Sequence, residues 1–266
     1  MNTIHRRARP LLGTFVEVAC RGDAARCIPA IEAAFAAVAR VHSLMSVHEK
    51  ASDLSRLNDR AHLEPVRVDP ETAFVLAAAL DLHRESGGAF DVAAESRGTS
   101  DDIQILPGDR VRFARPMRVN FGGIAKGYAV DRAVAELAAH GVTHAVVNAG
   151  GDLRVLGDDA ELIHLRDPGE PVKLHPALTL ASGAMATSAG YFTRAIVDPA
   201  TGEVSDGRDS ASVVAPSAML ADALSKVVLL RGEGARALLT RYGAHALVLR
   251  AVRGVLHACW LPQVPA

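Results

Sequence analysis

The segment VNFGGIAKGYAVDRAVAEL, residues 119–137, constrains the fold of this chain more than any other. It begins with apolar residues, passes through glycines on both sides of Lys126, and continues with helical spacing. A strand, a glycine turn and a helix in that order bring backbone close to a second group. The segment lacks both GxxxxGK[ST] and GxGxxG. Two interpretations remain: a phosphate bound by glycine N–H groups and Lys126, or a tight turn with Lys126 in solvent.

The order of the other segments predicts an α+β fold. Helical and strand-like segments alternate without a strict βαβ order, which disfavours a doubly wound sheet. The 266 residues show no internal repeat or low-complexity linker, so we expect a single domain over residues 1–266 with mixed sheets and about five helices. Helices are predicted at 24–45, 71–86, 129–141, 218–230 and 233–243.

Strand-like segments are short and separated by turns. The sequence from 94 to 110 is polar and turn-rich, so we expect a loop there. Strands are predicted at 13–20, 110–121, 144–157 around a glycine turn at 150–151, 162–167, 172–181, 194–202, 210–215, 245–252 and 255–261.

Charge and cysteine content exclude several classes of protein. The chain has 29 basic and 30 acidic residues and no basic run, so we expect no nucleic-acid partner. Its three cysteines form no CxxC pair, which argues against a zinc site or a disulfide framework. No uncharged apolar run approaches the roughly 20 residues of a membrane span, and the N-terminal segment lacks the apolar core of a signal peptide. We therefore expect no membrane span and a cytoplasmic protein.

Two further segments carry residues that could bind a ligand. In DALSK, Asp222, Ser225 and Lys226 lie three or four positions apart and share one helix face. They form either an exposed ion pair or a site where Asp222 supplies oxygen to Mg²⁺. In AMATSAGY, Thr187 and Ser188 either donate to phosphate oxygens or satisfy a turn.

The order of eight segments resembles the ApbE family, the FAD:protein FMN transferases. The resemblance runs from about residue 11 to 230 and is most specific in GGIAKGYAVD, NAGGD and the DALSK segment. The matching segments are LLGTFVEV, LMSVHEKASDLSRLN, SGGAFDV, NFGGIAKGYAVDRA, VVNAGGDL, MATSAGY, IVDPATG and SVVAPSAMLADALSK.

The resemblance implies an enzyme that uses FAD and Mg²⁺, transfers FMN to a threonine or serine hydroxyl of an acceptor protein, and releases AMP. It implies catalytic roles for Lys126 and Asp222, and a metal held by the Gly123 carbonyl, Asp222 and the position of Lys226. The flavin site that it implies comprises Leu12, His48, Ala89, Phe90, Asp91, Asn120, Lys126, Thr187, Ser188 and Ile196.

The sequence departs from the family pattern at several of these positions. Lys226 stands where the family has a metal-ligating threonine, and a protonated ammonium has three donors and no lone pair for a metal. Lys226 could instead act as a point charge beside Asp222. Ala195 replaces a family histidine, and the hairpin preceding it is nearly absent. The resemblance as a whole favours the transferase, and these changes leave open an alternative function, an FAD-binding relative that acts as a flavin carrier or partner subunit. The other departures are His48, Asn120 and Ala200.

Overall fold

The computed structural model describes residues 3–190, 196–203, 209–252 and 255–262. Its α-helices are α1 (Ala24–Met45), α2 (Asp53–Arg60), α3 (Pro70–Glu85), α4 (Ala125–Ala139), α5 (Ala218–Arg231) and α6 (Arg236–Arg241). Its strands are β1 (Ile4–Leu11), β2 (Thr14–Arg21), β3 (Val66–Arg67), β4 (Ile103–Leu106), β5 (Arg110–Phe113), β6 (Ala145–Ala149), β7 (Asp152–Leu156), β8 (Glu161–Arg166), β9 (Leu174–Leu180), β10 (Ala184–Ala189), β11 (Asp209–Ala215), β12 (His245–Val252) and β13 (Val255–Leu261).

Eight strands form one antiparallel sheet in the order β1-β2-β6-β7-β10-β11-β12-β13. Strands β3, β5 and β4 form a small second sheet, and β8 and β9 pair as a separate hairpin. The β6–β7 hairpin turns at Gly150, whose φ is +65°, and a Cβ there would lie 2.6 Å from Thr14 Oγ1. Glycine therefore lets this turn lie against the start of β2.

The large sheet separates two hydrophobic clusters, because successive strand residues point to opposite faces. In β10, Ala184 and Ala186 join the large cluster that includes residues of α1, α4 and α5. Met185 joins the smaller cluster, to which the β8–β9 hairpin contributes Ile163 and Leu165. The helices cover one face of the sheet, and the hairpin covers part of the other.

Helix α1 has the length and mean hydropathy of a membrane-spanning helix, the only such helix among the described ranges. One side of α1 nevertheless contributes to the large cluster, with Phe35 and Val38 among its buried residues. Arg26, Glu32 and Arg40 interrupt its apolar sequence. This pattern is also typical of a core helix that packs on a sheet.

Helices α4 and α5 are held together at two points. The Asp131 carboxylate in α4 accepts hydrogen bonds from the N–H groups of Ala218 and Met219, each at 2.9 Å, and so caps α5. One turn earlier, Gly127 lies so close to α5 that a Cβ would be 2.1 Å from the Ala218 oxygen. These contacts fix how α5 presents its side chains to the start of α4.

Three strand and loop predictions were wrong. Residues 103–106 of the expected loop pair with β5 as strand β4. The strand expected over 110–121 ends at Phe113. Farther along, the backbone N–H and C=O of Val119 bond the side chain of Asn58 rather than another strand. Residues 196–202 of the expected strand 194–202 contain a turn, in which Gly202 N–H donates to the Asp198 carbonyl. Residues 194 and 195 lie outside the described residues.

Tyr128 connects α4 to α3 and makes the stability of the fold sensitive to alkaline pH. Its hydroxyl donates to Glu71 Oε1 at 3.0 Å. Burial, followed by the hydrogen bond to Glu71, raises the pKa of Tyr128 to about 12. A raised folded-state pKa means that the neutral phenol stabilises the fold fully below pH ~10, and that this contribution is lost as pH rises toward ~12.

We therefore expect Tyr128→Phe to lower the free energy of unfolding by about 1 kcal/mol at neutral pH. The variant should also lose less stability than the parent chain between pH ~10 and ~12. Urea unfolding followed by circular dichroism across this range measures both effects. Equal alkaline losses in the two proteins would contradict this role for Tyr128.

Candidate functional site

Four charged side chains meet where α4 begins, and we call them the charge cluster: Lys126, Asp152, Asp222 and Lys226. Lys126 lies in the first turn of α4, and its ammonium hydrogen-bonds Asp152 Oδ2. The same ammonium lies 3.8 Å from Asp222 Oδ2. Asp152 is the first residue of β7, directly after the glycine turn. The turn at 150–151 thus places one carboxylate of the cluster, and α5 supplies the other.

Asp222 is fully buried, and both of its carboxylate oxygens have partners. Oδ1 accepts a hydrogen bond from the Lys226 ammonium. Oδ2 accepts one from Gly127 N–H at 3.1 Å. The Asp222 carbonyl also accepts from Lys226 Nζ at 3.0 Å and from Ser225 Oγ at 2.7 Å. Every oxygen of Asp222 is therefore bound by a donor of the protein itself.

Burial and charge act in opposite directions on the pKa values of the cluster. Burial alone would raise the pKa of Asp222, but the ammoniums of Lys126 and Lys226 bring it below its ordinary value. Burial alone would lower the pKa of Lys126, but Asp222 and Asp152 bring it well above its ordinary value. Burial, together with the charge of Asp222, raises the pKa of Asp152 despite its bond to Lys126. Lys126 is thus a cation, and Asp222 an anion, at neutral pH.

Gly123 brings the glycine turn against the stem of Lys226. A Cβ at Gly123 would lie 3.5 Å from Lys226 Cε and 3.4 Å from Phe90 Cε2. The Phe90 ring, the backbone of Gly123 and the side chain of Lys226 therefore lie side by side. Because residue 123 is a glycine, no side chain comes between the ring and the lysine. Asn120 lies just before this turn, and its Oδ1 accepts a hydrogen bond from Gly122 N–H at 2.9 Å. Through this bond its side chain stabilises the glycine turn rather than the charge cluster.

Thr187 and Ser188 occupy successive positions of strand β10 rather than a turn, so the turn interpretation was wrong. Ser188 Oγ lies 2.6 Å from Ser225 Oγ, which connects it to Asp222 through α5. Thr187 Oγ1 lies 2.8 Å from Ser212 Oγ on the adjacent strand. Because neighbouring strand residues face opposite ways, Ser188 faces the cluster and Thr187 faces the hairpin side.

The remaining predicted flavin residues are placed by local contacts. Asp91 accepts from Ala93 N–H and from the Ser100 hydroxyl, each at 2.7 Å, so it organises its own loop. Leu12, with a φ of 56°, forms the β1–β2 turn. Ala89 is buried in the large hydrophobic cluster, and Ile196 is half-buried. His48 is exposed, and its backbone N–H donates to Ser46 Oγ. Ala195 lies outside the described residues.

The donors around Asp222 do not fit a magnesium ion. Mg²⁺ requires oxygen ligands with free lone pairs in a near-octahedral arrangement. Here each carboxylate oxygen already accepts one hydrogen bond, from Lys226 or from Gly127, and the ammonium of Lys226, at the position of an implied ligand, is a cation with no lone pair to give. Within the described ranges, no three His, Cys, Asp or Glu side chains are grouped so as to hold a metal. The metal site implied at Gly123, Asp222 and Lys226 is therefore not supported by this arrangement.

Sequence reasoning missed Asp152 and the link from Ser188 to Asp222. NAGGD is part of the family resemblance, which implies no role for its aspartate. Its position was a signal: an aspartate that starts a buried strand after a glycine pair needs a partner for its charge. The partner, Lys126, is 26 residues earlier in the chain, and only the folded structure shows that the two meet.

Comparison with known proteins identifies the family of this chain. The ApbE family model matches residues 12–100 and 96–248, which is most of the sequence. The chain belongs to the ApbE family. The match covers every residue of the charge cluster, so the cluster lies within the ApbE sequence region.

Relatives and solved structures agree with this assignment. The FAD:protein FMN transferase of Treponema pallidum is 28% identical, over 91% of this chain and 83% of the relative. The FAD:protein FMN transferase of Rhodobacter capsulatus is 31% identical, but the match covers 62% of this chain and only 39% of that protein. The ApbE protein of Thermotoga maritima, 24% identical, superposes with a TM-score of 0.86 over 96% of each chain. The predicted α+β ApbE-like fold is confirmed.

Proposed function

We propose that this chain is an FAD:protein FMN transferase, which moves FMN from FAD to a threonine or serine hydroxyl of an acceptor protein and releases AMP. One observation carries the proposal: two ammoniums, from Lys126 and Lys226, meet at a buried carboxylate beside the glycine turn of an ApbE-family chain. The names of the Treponema pallidum and Rhodobacter capsulatus relatives support the same activity.

The reaction exchanges a phosphoanhydride bond of FAD for a phosphoester bond to the acceptor. The acceptor oxygen forms a bond to the phosphorus on the flavin side of the pyrophosphate, and the bond from that phosphorus to the bridging oxygen breaks. AMP leaves with the bridging oxygen, and the hydroxyl proton is released. Negative charge develops on the bridging and non-bridging oxygens as the bonds exchange, so fixed cations that face those oxygens lower the barrier.

The residues of the charge cluster and the neighbouring Gly123 each have a defined part in this proposal. Lys126 supplies a cation whose raised pKa keeps it charged. Asp152 and Asp222 fix the position of that cation from two sides. Gly123 lets backbone lie beside Lys226 without a side chain between them. A pyrophosphate at this turn would thus meet two positioned ammoniums in place of bulk water.

A second function, FAD binding without transfer, is favoured by Ala195, where the ApbE pattern has a histidine. The two functions differ in their products: only transfer or hydrolysis releases AMP. Equilibrium titration with FAD and chromatography of released AMP distinguish them. Tight FAD binding with no AMP and no covalent flavin would favour the carrier function over the transferase.

Replacing Lys126 with glutamine tests the transferase directly. We expect Lys126→Gln to lower the rate of FMN transfer from FAD by ~10²–10³, since one fixed cation is lost at the reacting phosphate. The assay follows flavin attached to a peptide library in which each peptide carries one threonine or serine. Lys173→Gln is the matched control, because Lys173 is an exposed lysine paired with Glu170. Transfer at the parent rate by Lys126→Gln would contradict this role.

A further inference from the structure

We infer that the Lys226 ammonium is a built-in cation that takes the place of a divalent metal at Asp222, so that this site binds pyrophosphate without metal. The pyrophosphate part of this inference rests on the proposed function. The exclusion of a metal rests on the charge cluster alone and can be tested without FAD.

The first argument is that every oxygen of Asp222 already accepts a hydrogen bond, so a metal would compete with donors of the protein for it. Lys226 holds Oδ1 and the carbonyl oxygen, the second at 3.0 Å, and Gly127 holds Oδ2. Asp222 and Lys226 are four residues apart on α5, so the helix places their side chains on one face within reach of each other. A metal would have to displace a cation that is tethered to the same helix turn.

The second argument concerns charge balance. The two carboxylates of the charge cluster are balanced by its two ammoniums, all connected by contacts of 4 Å or less. A divalent ion at Asp222 would add two positive charges beside two fixed ammoniums, and like charges in close proximity repel each other.

The third argument is that the side chain of Lys226 remains partly exposed to solvent. Its side chain retains 18% of its exposure, and that of Lys126 retains 32%, whereas Asp222 retains none. An ammonium has three N–H donors, and Lys226 uses two of them on Asp222 within the described part of the chain. The third N–H donor of Lys226, whose side chain lies beside the backbone of Gly123, remains for a phosphate oxygen.

Manganese binding tests the exclusion of metal. Electron paramagnetic resonance of free Mn²⁺ should show no stoichiometric binding to the parent chain. Lys226→Thr replaces the ammonium with a hydroxyl oxygen and should bind one Mn²⁺ per chain, whereas Lys173→Thr, which breaks an exposed lysine–glutamate pair, should bind none. One tightly bound Mn²⁺ in the parent chain would overturn the inference, and this measurement does not require the variant to fold.

Titration with FAD tests whether the charge of the Lys226 ammonium replaces a metal in FAD binding. The affinity of the parent chain for FAD should be the same in EDTA and in Mg²⁺. In EDTA, Lys226→Thr should bind FAD about tenfold to a hundredfold more weakly, since a charged donor is lost, and Mg²⁺ should restore part of that loss. Parent binding that weakens tenfold in EDTA, or Lys226→Thr binding in EDTA with parent affinity, would overturn the inference. If the parent chain binds no FAD at all, the proposed function fails, and the manganese titration still decides the metal question.

Discussion

Replacing Asp222 with asparagine is expected to lower the free energy of unfolding by about 3 kcal/mol and to abolish detectable FMN transfer. The substitution keeps the shape of the side chain but removes the buried charge that faces Lys126 and Lys226. Removing one partner of a buried ion pair costs ~3–5 kcal/mol, because the charge left behind has lost its compensation. Urea unfolding of Asp222→Asn measures the stability, and the peptide assay measures the transfer.

The origin of that loss can be isolated with a second substitution. Lys226→Met in the Asp222→Asn background removes the stranded ammonium and should recover most of the lost stability, a coupling that a double-mutant cycle measures. Glu170→Gln is a surface control, because its partner Lys173 is exposed, and it should change stability by less than about 0.5 kcal/mol. An equally small change in Asp222→Asn would contradict the account of a buried, mutually compensating cluster.

Gly127→Ala is expected to destabilise the chain by about 3 kcal/mol or more, the second large effect that the structure predicts. A Cβ at Gly127 would lie 2.1 Å from the Ala218 oxygen and 2.8 Å from the Met219 Cα, both backbone atoms. Helix α5 would have to move away from α4, and Asp222 would move away from the Gly127 N–H that binds it. Transfer should therefore fall together with stability.

Gly234→Ala is the matched control for this substitution. A Cβ at Gly234 would meet only the Arg231 Cβ, at an ordinary 3.6 Å. We expect Gly234→Ala to change the free energy of unfolding by no more than about 0.5 kcal/mol. Thermal melts of the two alanine variants give the comparison, and equal melting temperatures would contradict the close contact of α4 with α5.

The fold was predictable where local signals and tertiary packing agree. Helix α4 has helical spacing and is followed, after His140, by Gly141, and strands β6 and β7 flank a glycine pair. Strand β1 was missed because its mostly exposed sequence, IHRRARPL, has no apolar alternation and extends by pairing with β2. Helix α2 was missed because it is short and polar, and Ser52 caps it by accepting from Ser55 N–H at 3.0 Å.

The site was predictable as a set of motifs but not as an arrangement. Residue spacing singles out Lys126, Asp222 and Lys226, the family resemblance implies their roles, and the structure brings all three together. Whether Lys226 faces a metal or replaces one depends on which oxygens of Asp222 it reaches. Whether Thr187 and Ser188 face the same side depends on β10 being a strand. Neither fact is local in sequence, since each depends on contacts with distant elements.

Mass spectrometry of the acceptor peptides after incubation of the unmodified chain with FAD and EDTA tests the central claim most directly. We predict peptides heavier by FMN less one water on threonine or serine, with one AMP released for each flavin attached. The same yield is predicted when Mg²⁺ replaces EDTA. Neither modified peptide nor AMP in either condition would contradict the transferase, and modified peptide in Mg²⁺ alone would contradict the built-in cation.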